Sequence, residues 1–176
     1  MMRPVESVSP THEAHPLIAA SGSGHVVPGL YWGIKRSFVS YVARMPDGRA
    51  TAGLGAQPLP NGDFLFLPDT THDSDEFRFR GDVRFSGHMG MLWVRIADPW
   101  IDVETNQGEL SIASPADSES RLRLASVTFD DHIDDRGHVV LHASVVRLLG
   151  ESLSIFNDVY EEGQLLEPLT VVLRHG

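Results

Sequence analysis

The sequence predicts a mainly β domain, an antiparallel sandwich or barrel-like fold with one or two short α-helices. After Gly48, apolar residues recur at every second position in several short runs, which is the period of a strand with one face in water. Glycine, proline, asparagine and aspartate separate these runs at intervals of roughly 8–12 residues, a spacing typical of sandwiches and barrels. One stretch near the N-terminus instead repeats its apolar residues at the helical period.

The first elements are an arm and a helix. Residues 1–27 are rich in proline, serine, glycine and histidine and have no periodicity, so we expect a flexible N-terminal arm. The signal Pro28-Gly29 then predicts a helix over 30–43. Its apolar stripe at helical spacing consists of Tyr31, Ile34, Phe38 and Val42. We expect residues 28–176 to form a single domain.

The strands follow from the alternation of apolar and polar residues. In the segment 76–81, for example, phenylalanine and arginine alternate, so one face of the strand is apolar and the other is charged. Residues 151–163 are predicted to form a short helix or a structured loop. The predicted strands are 64–67, 76–81, 83–85, 92–96, 100–103, 110–112, 121–127, 139–142 and 169–173.

The composition excludes several classes of function. The formal net charge is −10 and no basic run offsets it, which argues against a nucleic-acid partner and against an anionic membrane surface. The chain has no cysteine, so disulfides, zinc–thiolate sites, iron–sulfur clusters and covalent haem attachment are ruled out.

The sequence also predicts where the protein acts. No apolar run is long enough to span a membrane, and the N-terminus lacks the apolar segment of about 7–15 residues that a signal peptide needs. We therefore expect a cytoplasmic protein, although a chain whose leader had been removed would have the same sequence.

Two segments carry candidate binding chemistry. On the predicted helix, Gly33, Ser37 and Tyr41 are four residues apart and would share one face, leaving a slot beneath the phenol for a flat ligand. Farther along the chain, His88 stands in a turn between Gly87 and Gly90. A tyrosine beside a slot and a histidine in a glycine turn are two parts of a possible haem site.

Four segments together resemble the HtaA-type haem-transport domain of actinobacteria. They follow one another in the family's order and cover about 28–174, and the first of them reads LYWGIKRSFVSY. The resembling segments are 30–41, 83–92, 96–101 and 159–170.

The resemblance implies a β-sandwich-like domain that binds one haem b in the ferric state. It implies that Tyr41 supplies the axial phenolate ligand to the iron, that His88 hydrogen-bonds Tyr41, and that Ser37 contacts a haem propionate. Tyr160 would line the pocket, with Val159 where the family usually has an aromatic residue. Family members are typically exported, whereas the sequence as given leads us to expect a protein without an export signal.

The chemistry of these residues suits ferric haem. Iron(III) is a hard Lewis acid and a phenolate is a hard donor, but a free phenol has a pKa near ~10, so the bound iron and a hydrogen bond from His88 would have to stabilise the anion. Gly33 and Ser37 would let the macrocycle approach the helix. Lys35, Arg36 or Arg84 could pair with a propionate, and the choice among them is open.

Several alternatives remain at this stage. Tyr41 could be a core residue with its hydroxyl at the rim. The three tryptophans favour core positions over haem stacking, and Met89 and Met91 favour packing over iron ligation. Residues 130–142 are rich in aspartate and histidine. They predict a hairpin with a charged turn, a surface metal site being the alternative.

The leading functional hypothesis is a protein that carries, stores or transfers haem without changing it. Its expected partners are haem and other haem-transfer proteins. The alternatives are a haem-dependent enzyme, peroxidase-like or haem-degrading, and a β-sandwich binding module for another flat ligand or for a protein. The sequence leaves the oligomeric state open.

Overall fold

A large antiparallel sheet dominates the computed structural model, which describes residues 26–135 and 137–175. The strands of the described residues are β1 Gly29–Trp32, β2 Arg49–Gly53, β3 Ala56–Pro58, β4 Phe64–Pro68, β5 Phe77–Arg80, β6 Asp82–Gly87, β7 Leu92–Ala97, β8 Trp100–Glu104, β9 Gln107–Ala113, β10 Arg121–Thr128, β11 Asp131–Asp135, β12 His138–Ala143, β13 Val145–Leu148 and β14 Leu169–Arg174.

The strands form two sheets. The larger has the order β11-β12-β14-β1-β4-β5-β8-β9-β10-β13, with β3 paired to β4, and it curls into a half-barrel. The smaller has the order β2-β6-β7. Every described pairing is antiparallel. The predicted fold class, mainly β with short helices, is confirmed.

The first predicted helix is only partly right. The helix α1 spans Arg36–Arg44, whereas the first residues of the predicted span 30–43 form β1. Strand β1 lies between β14 and β4, where Leu30 is opposite Val171 on one side and Phe66 on the other. Two flanking strands satisfy both edges of β1, and this long-range pairing outweighs the local helical spacing.

Four strands besides β1 escaped the sequence analysis. Strands β2, β11 and β13 lie at sheet edges and β3 pairs with β4 alone, so none of them needs the continuous apolar face of a central strand. Strand β2, for instance, consists of RATAG and has no large apolar side chain. Strand β13, by contrast, does alternate, with Val146 and Leu148 buried and Arg147 exposed.

The predicted short helix in 151–163 corresponds to a 3-10 helix over Gly150–Phe156. Ile155 and Phe156 anchor it in the core, and it ends at Asn157 in the left-handed conformation. The remainder of the predicted span is turns and irregular backbone.

Aromatic contacts in the core join α1 to strand β6 and to the 3-10 helix. Phe38 of α1 makes edge-to-face contacts with Phe85 of β6 and with Phe156 of the 3-10 helix, at ring-centroid distances of 5.3 and 5.5 Å. Phe64 of β4 contacts Phe85 at 5.9 Å. Aromatic pairs of this kind contribute about 0.5–1.5 kcal/mol beyond the area that they bury. These contacts fix the helix relative to the smaller sheet.

The acidic, histidine-rich segment forms a hairpin, as predicted, but residues 131–135, which were assigned to its charged turn, form strand β11. Strand β11 pairs with β12 so that Asp131 is opposite His142 and Asp135 is opposite His138. Within the described residues, no group of three or more histidine, aspartate or glutamate side chains is arranged to hold a metal ion. The metal alternative therefore has no structural support there.

Two further expectations concern the ends and the membrane. The predicted arm, residues 1–27, lies outside the described residues except for Val26 and Val27. None of the helices in 26–135 and 137–175 has the length and apolar character needed to cross a bilayer.

Candidate functional site

Helix α1 presents Ser37 and Tyr41 on the face opposite the core. Phe38 and Val42 are buried, and because successive residues turn by a fixed angle, Ser37 and Tyr41 point outward one helical turn apart. The phenol of Tyr41 remains 46% exposed. A tyrosine in this position is therefore open to a ligand and is not a core residue.

The histidine turn follows β6. His88 and Met89 have φ values of 50° and 53°, and Gly90 follows at 87°. The left-handed region costs a residue with a side chain about 1–2 kcal/mol. The turn closes through a hydrogen bond from the Met91 N–H to the His88 carbonyl, at 3.1 Å. It presents the imidazole toward α1.

Tyr41 and His88 are in direct contact. The Tyr41 hydroxyl oxygen lies 2.6 Å from His88 Nε2, a short hydrogen bond between two side chains 47 positions apart. The tautomer of the imidazole decides which of the two donates. The resemblance implied this pair, and the structure brings the two groups together.

A cavity of about 500 Å³ opens beside this pair. Its walls are mostly apolar and aromatic, with a few polar groups at the rim, which is the usual composition of a small-molecule site. Its lining residues are Ser37, Phe38, Tyr41, His88, Met91, Leu92, Phe156, Asn157, Val159 and Tyr160.

Another side of the cavity is formed by the residues that come after the 3-10 helix in the sequence. Asn157 and Asp158 have φ values of 55° and 56°, and the Asn157 side-chain amide donates to the Met91 carbonyl at 3.4 Å. The Tyr160 ring meets Phe156 edge to face at 5.5 Å.

Four of the eight non-glycine residues with positive φ in the described chain therefore flank the cavity, namely His88, Met89, Asn157 and Asp158. Such conformations concentrate at functional sites, where the surrounding structure holds them.

Of the three cations proposed near the site, two are already paired. The Arg36 guanidinium lies 3.0 Å from Asp63, and the Arg84 guanidinium makes two hydrogen bonds to Asp82, at 3.0 and 2.9 Å. Lys35, the only lysine in the sequence, has its ammonium 5.7 Å from the centroid of the Tyr160 ring. Lys35 does not line the cavity itself, but its ammonium lies beside Tyr160, which does.

Gly33 does not take part in this arrangement. It lies in the turn before α1, and a Cβ there would be 2.6 Å from Asp63 Oδ1 and 3.3 Å from Glu167 Cγ. The predicted face of Gly33, Ser37 and Tyr41 required a helix through residue 33, and the chain is a strand and a turn there. The open space beside Ser37 and Tyr41 is bounded instead by residues 156–160.

The aromatic and methionine residues are distributed as follows. Trp32 is buried in the core, Trp93 is half exposed, and Trp100 lies 4.0 and 3.9 Å from the guanidinium carbons of Arg78 and Arg121. None of the three lines the cavity. Met91 lines the rim of the cavity and is 77% exposed, so of core and loop packing only the loop position applies to it.

Asp47 is the residue near the site that the sequence analysis missed. Its carboxylate accepts hydrogen bonds from the backbone N–H groups of His88, at 3.2 Å, and Met89, at 2.6 Å. These bonds, chiefly the one from Met89, hold the pKa of Asp47 below its ordinary value. In the sequence it stands in Pro46-Asp47-Gly48, which signals only a turn.

Comparison with protein families finds one match that covers most of the chain. The HtaA family model, described as Htaa, matches residues 29–172. No curated protein has a significant match to this sequence.

Solved structures share the fold. The C-terminal domain of HtaA from Corynebacterium glutamicum is 25% identical with a TM-score of 0.69, covering 86% of this chain and 98% of that one. The N-terminal domain of the same protein is 23% identical with a TM-score of 0.67, covering 86% and 99%. The haem-binding protein HtaB from that organism is 19% identical with a TM-score of 0.63, covering 82% and 91%. At these last two identities, the likeness shows the fold alone.

Proposed function

The chain belongs to the HtaA family, and on this premise we propose that it binds ferric haem b in the cavity beside α1, with Tyr41 as the axial ligand. The observation that supports this most directly is the Tyr41–His88 hydrogen bond of 2.6 Å at an apolar cavity. Tyrosine is one of the side chains that hold haem iron in proteins.

The lining residues suit such a ligand. Met91 and Val159 offer exposed apolar surface to a macrocycle, and the phenol of Tyr41 supplies an oxygen donor. When bound, ferric haem supplies a Lewis-acidic iron. Ser37 and Lys35 provide a hydroxyl donor and a cation suited to the propionate carboxylates.

His88 acts through the phenol oxygen. With Nε2 protonated, the imidazole donates to that oxygen and stabilises its anionic form; with Nε2 unprotonated, it accepts the phenol proton. His88 thereby offers an acceptor for the proton that must leave Tyr41 before the oxygen can bind iron as a phenolate. Partners that hydrogen-bond a metal ligand typically change affinity about 10–100-fold when removed.

The openness of the site favours a carrier over a store. Tyr41 is 46% exposed and Met91 is 77% exposed, so a haem seated between them would keep part of its surface accessible. An acceptor protein could then reach the haem without opening the core. We therefore propose that the chain carries and transfers haem, in exchange with other haem-transfer proteins.

A titration with ferric haem tests the proposal. The wild-type protein should develop a Soret band at one equivalent, and Tyr41→Phe should bind at least about 100-fold more weakly, because a phenyl ring has no donor atom. Tyr31→Phe is the matched control. Its hydroxyl donates to the Val27 carbonyl at 2.7 Å, away from the cavity, and this variant should bind as the wild type does.

Two results would contradict the proposal. The first is a wild-type protein that gives no Soret band, which would favour another flat ligand or a protein partner. The second is a Tyr41→Phe variant with the wild-type spectrum and affinity. Peroxide-dependent turnover, or breakdown of the bound haem, would instead support the enzymatic alternative on the same site.

A further inference from the structure

The backbone of the histidine turn is held by one carboxylate. Both oxygens of Asp47 are used, one for the N–H of His88 at 3.2 Å and the other for the N–H of Met89 at 2.6 Å. These contacts span 41 and 42 positions in sequence, so they connect two separate parts of the fold. In the described chain, no other side chain bonds to the backbone of these two residues.

The turn needs an external constraint. His88 and Met89 both adopt the left-handed region, which is unfavourable for residues with a Cβ, and both side chains are exposed. Burial therefore contributes little to holding them. A Cβ placed on Gly90 would meet nothing within 4 Å, so the far side of the turn is open. Besides the Met91 N–H to His88 carbonyl bond within the turn and the Tyr41 contact of the imidazole, the two hydrogen bonds to the Asp47 carboxylate compensate for the strain.

Asp47 is itself well placed to act as a constraint. It lies between α1 and β2, in a segment where the Gly48 N–H donates to the Met45 carbonyl at 3.1 Å. A Cβ on Gly48 would lie 1.8 Å from the Val42 carbonyl oxygen, so this segment is pressed against the end of α1. On its other side, β2 begins with Arg49 opposite Ser86 of β6. Asp47 is thus anchored to both elements that carry the Tyr41–His88 pair.

We propose that Asp47 is a positioning residue that directs the His88 imidazole to the Tyr41 hydroxyl by fixing the backbone of the left-handed turn. It does not line the cavity and acts only through His88. The effect of Asp47 on haem binding rests on the proposed function, whereas its effect on the backbone of the turn does not.

The test compares Asp47→Asn with Asp117→Asn. In Asp47→Asn the side-chain amide can accept only one of the two N–H groups, so amide hydrogen exchange at His88 and Met89 of the haem-free protein should accelerate about tenfold or more. The control residue, Asp117, accepts bonds from Glu119 N–H and the Ser120 hydroxyl in another exposed turn. Asp117→Asn should leave exchange at His88 and Met89 unchanged.

Haem titration then tests whether Asp47 affects haem binding through His88. Asp47→Asn should weaken haem binding about tenfold and shift the absorption spectrum toward that of His88→Ala. In a His88→Ala background the same change should have no further effect, because a positioning residue has nothing left to position. Asp47→Glu should recover part of the wild-type spectrum, since it restores both acceptor oxygens.

The outcomes separate this proposal from the proposed function. Unchanged exchange in Asp47→Asn, or a loss of affinity that is additive with His88→Ala, would overturn the positioning role. If the wild-type protein bound no haem, the proposed function would fail, yet the exchange measurement on the haem-free protein would still decide whether Asp47 holds the turn.

Discussion

Tyr41 on α1 and Lys35, which directly precedes α1, are the two residues on which the proposed haem chemistry depends most. Tyr41 is the proposed oxygen ligand to iron, and Lys35, beside the Tyr160 ring, is the one of the three cations considered for the propionates that no described carboxylate pairs. With a formal net charge of −10, the protein as a whole repels a dianionic ligand. A local cation is therefore the means by which this site can attract carboxylates.

This charge balance predicts the effect of Lys35→Gln. Haem affinity should fall about two- to fivefold, the range for an exposed ion pair, and the loss should shrink at high salt. Haem dimethyl ester, which has no carboxylates, should bind both proteins equally. Titrations at low and high salt measure both effects.

Arg36→Gln is the neighbouring control. Its guanidinium is already engaged with Asp63, so its removal should leave haem affinity nearly unchanged. Equal losses for haem and for its dimethyl ester in Lys35→Gln would contradict the propionate role, because the missing contact would then not be electrostatic.

At the scale of elements, the segment from Met45 to Gly48 couples the helix to the histidine turn. A Cβ on Gly87 would lie 2.6 Å from Met45 Sδ, and a Cβ on Gly48 would overlap the Val42 carbonyl oxygen. Two glycines thus allow a close approach of α1, β2 and β6. The distance between Tyr41 and His88 depends on this approach.

Gly48→Ala should therefore destabilise the protein and disturb the site at once. Overpacking of a close contact costs about 1–3 kcal/mol, and relief of the overlap would move the end of α1 away from the turn. Urea unfolding measures the first effect and the haem spectrum measures the second.

Gly53→Ala serves as the comparison, since a Cβ there would meet nothing within 4 Å. It should change the free energy of unfolding by less than about 0.5 kcal/mol. If Gly48→Ala also left the free energy of unfolding unchanged, the close approach at Gly48 would not be what holds α1 against the histidine turn.

At the scale of the whole molecule, buried charge makes stability depend on pH. Asp82 in β6 is buried and receives hydrogen bonds from Arg84 and from Arg95 of β7. Burial raises the pKa of Asp82, but the hydrogen bonds from the two arginines outweigh it and hold the pKa below its ordinary value. The pKa values of Asp47, Asp69, Asp117 and Asp130 are lowered as well, by the hydrogen bonds that their carboxylates accept.

A lowered carboxyl pKa stabilises the fold above its unfolded value, near ~3.9, and this stability is lost as pH falls through the folded value. We expect the midpoint of thermal unfolding to drop steeply below about pH 4. Asp82→Asn should cost about 2 kcal/mol at pH 7, since it loses hydrogen bonds to a charged group.

The difference in stability between wild type and Asp82→Asn should narrow as the pH falls below about 4, because Asp82 then binds a proton in the unfolded chain while the folded carboxylate stays ionised to lower pH. Thermal unfolding followed by circular dichroism at pH 7, 5, 4 and 3 measures this gap. A gap that stayed constant over this range would show that the ionised carboxylate of Asp82 contributes nothing to stability.

Much of the fold was predictable from the sequence because its signals are local. The central strands, such as residues 121–128 and 169–174, alternate apolar and polar residues or carry continuous apolar runs, and the structure has strands there. The edge strand β2 lacks that signal, since its sequence RATAG has no large apolar side chain. Ser37, Tyr41, His88 and Tyr160 were proposed from the family resemblance, and all four line the cavity.

The sequence by itself determined the fold class and the family, because the period-two alternation and the four ordered segments can each be recognised without knowing which elements pack together. Only the tertiary structure decided that residues 29–32 form a strand, since β14 and β4 supply the partners from distant parts of the chain. It also decided that Gly33 lies away from the cavity and that Asp47 holds the histidine turn. Contacts across 40 or more positions leave no periodic trace in a sequence, because they depend on how separate elements pack.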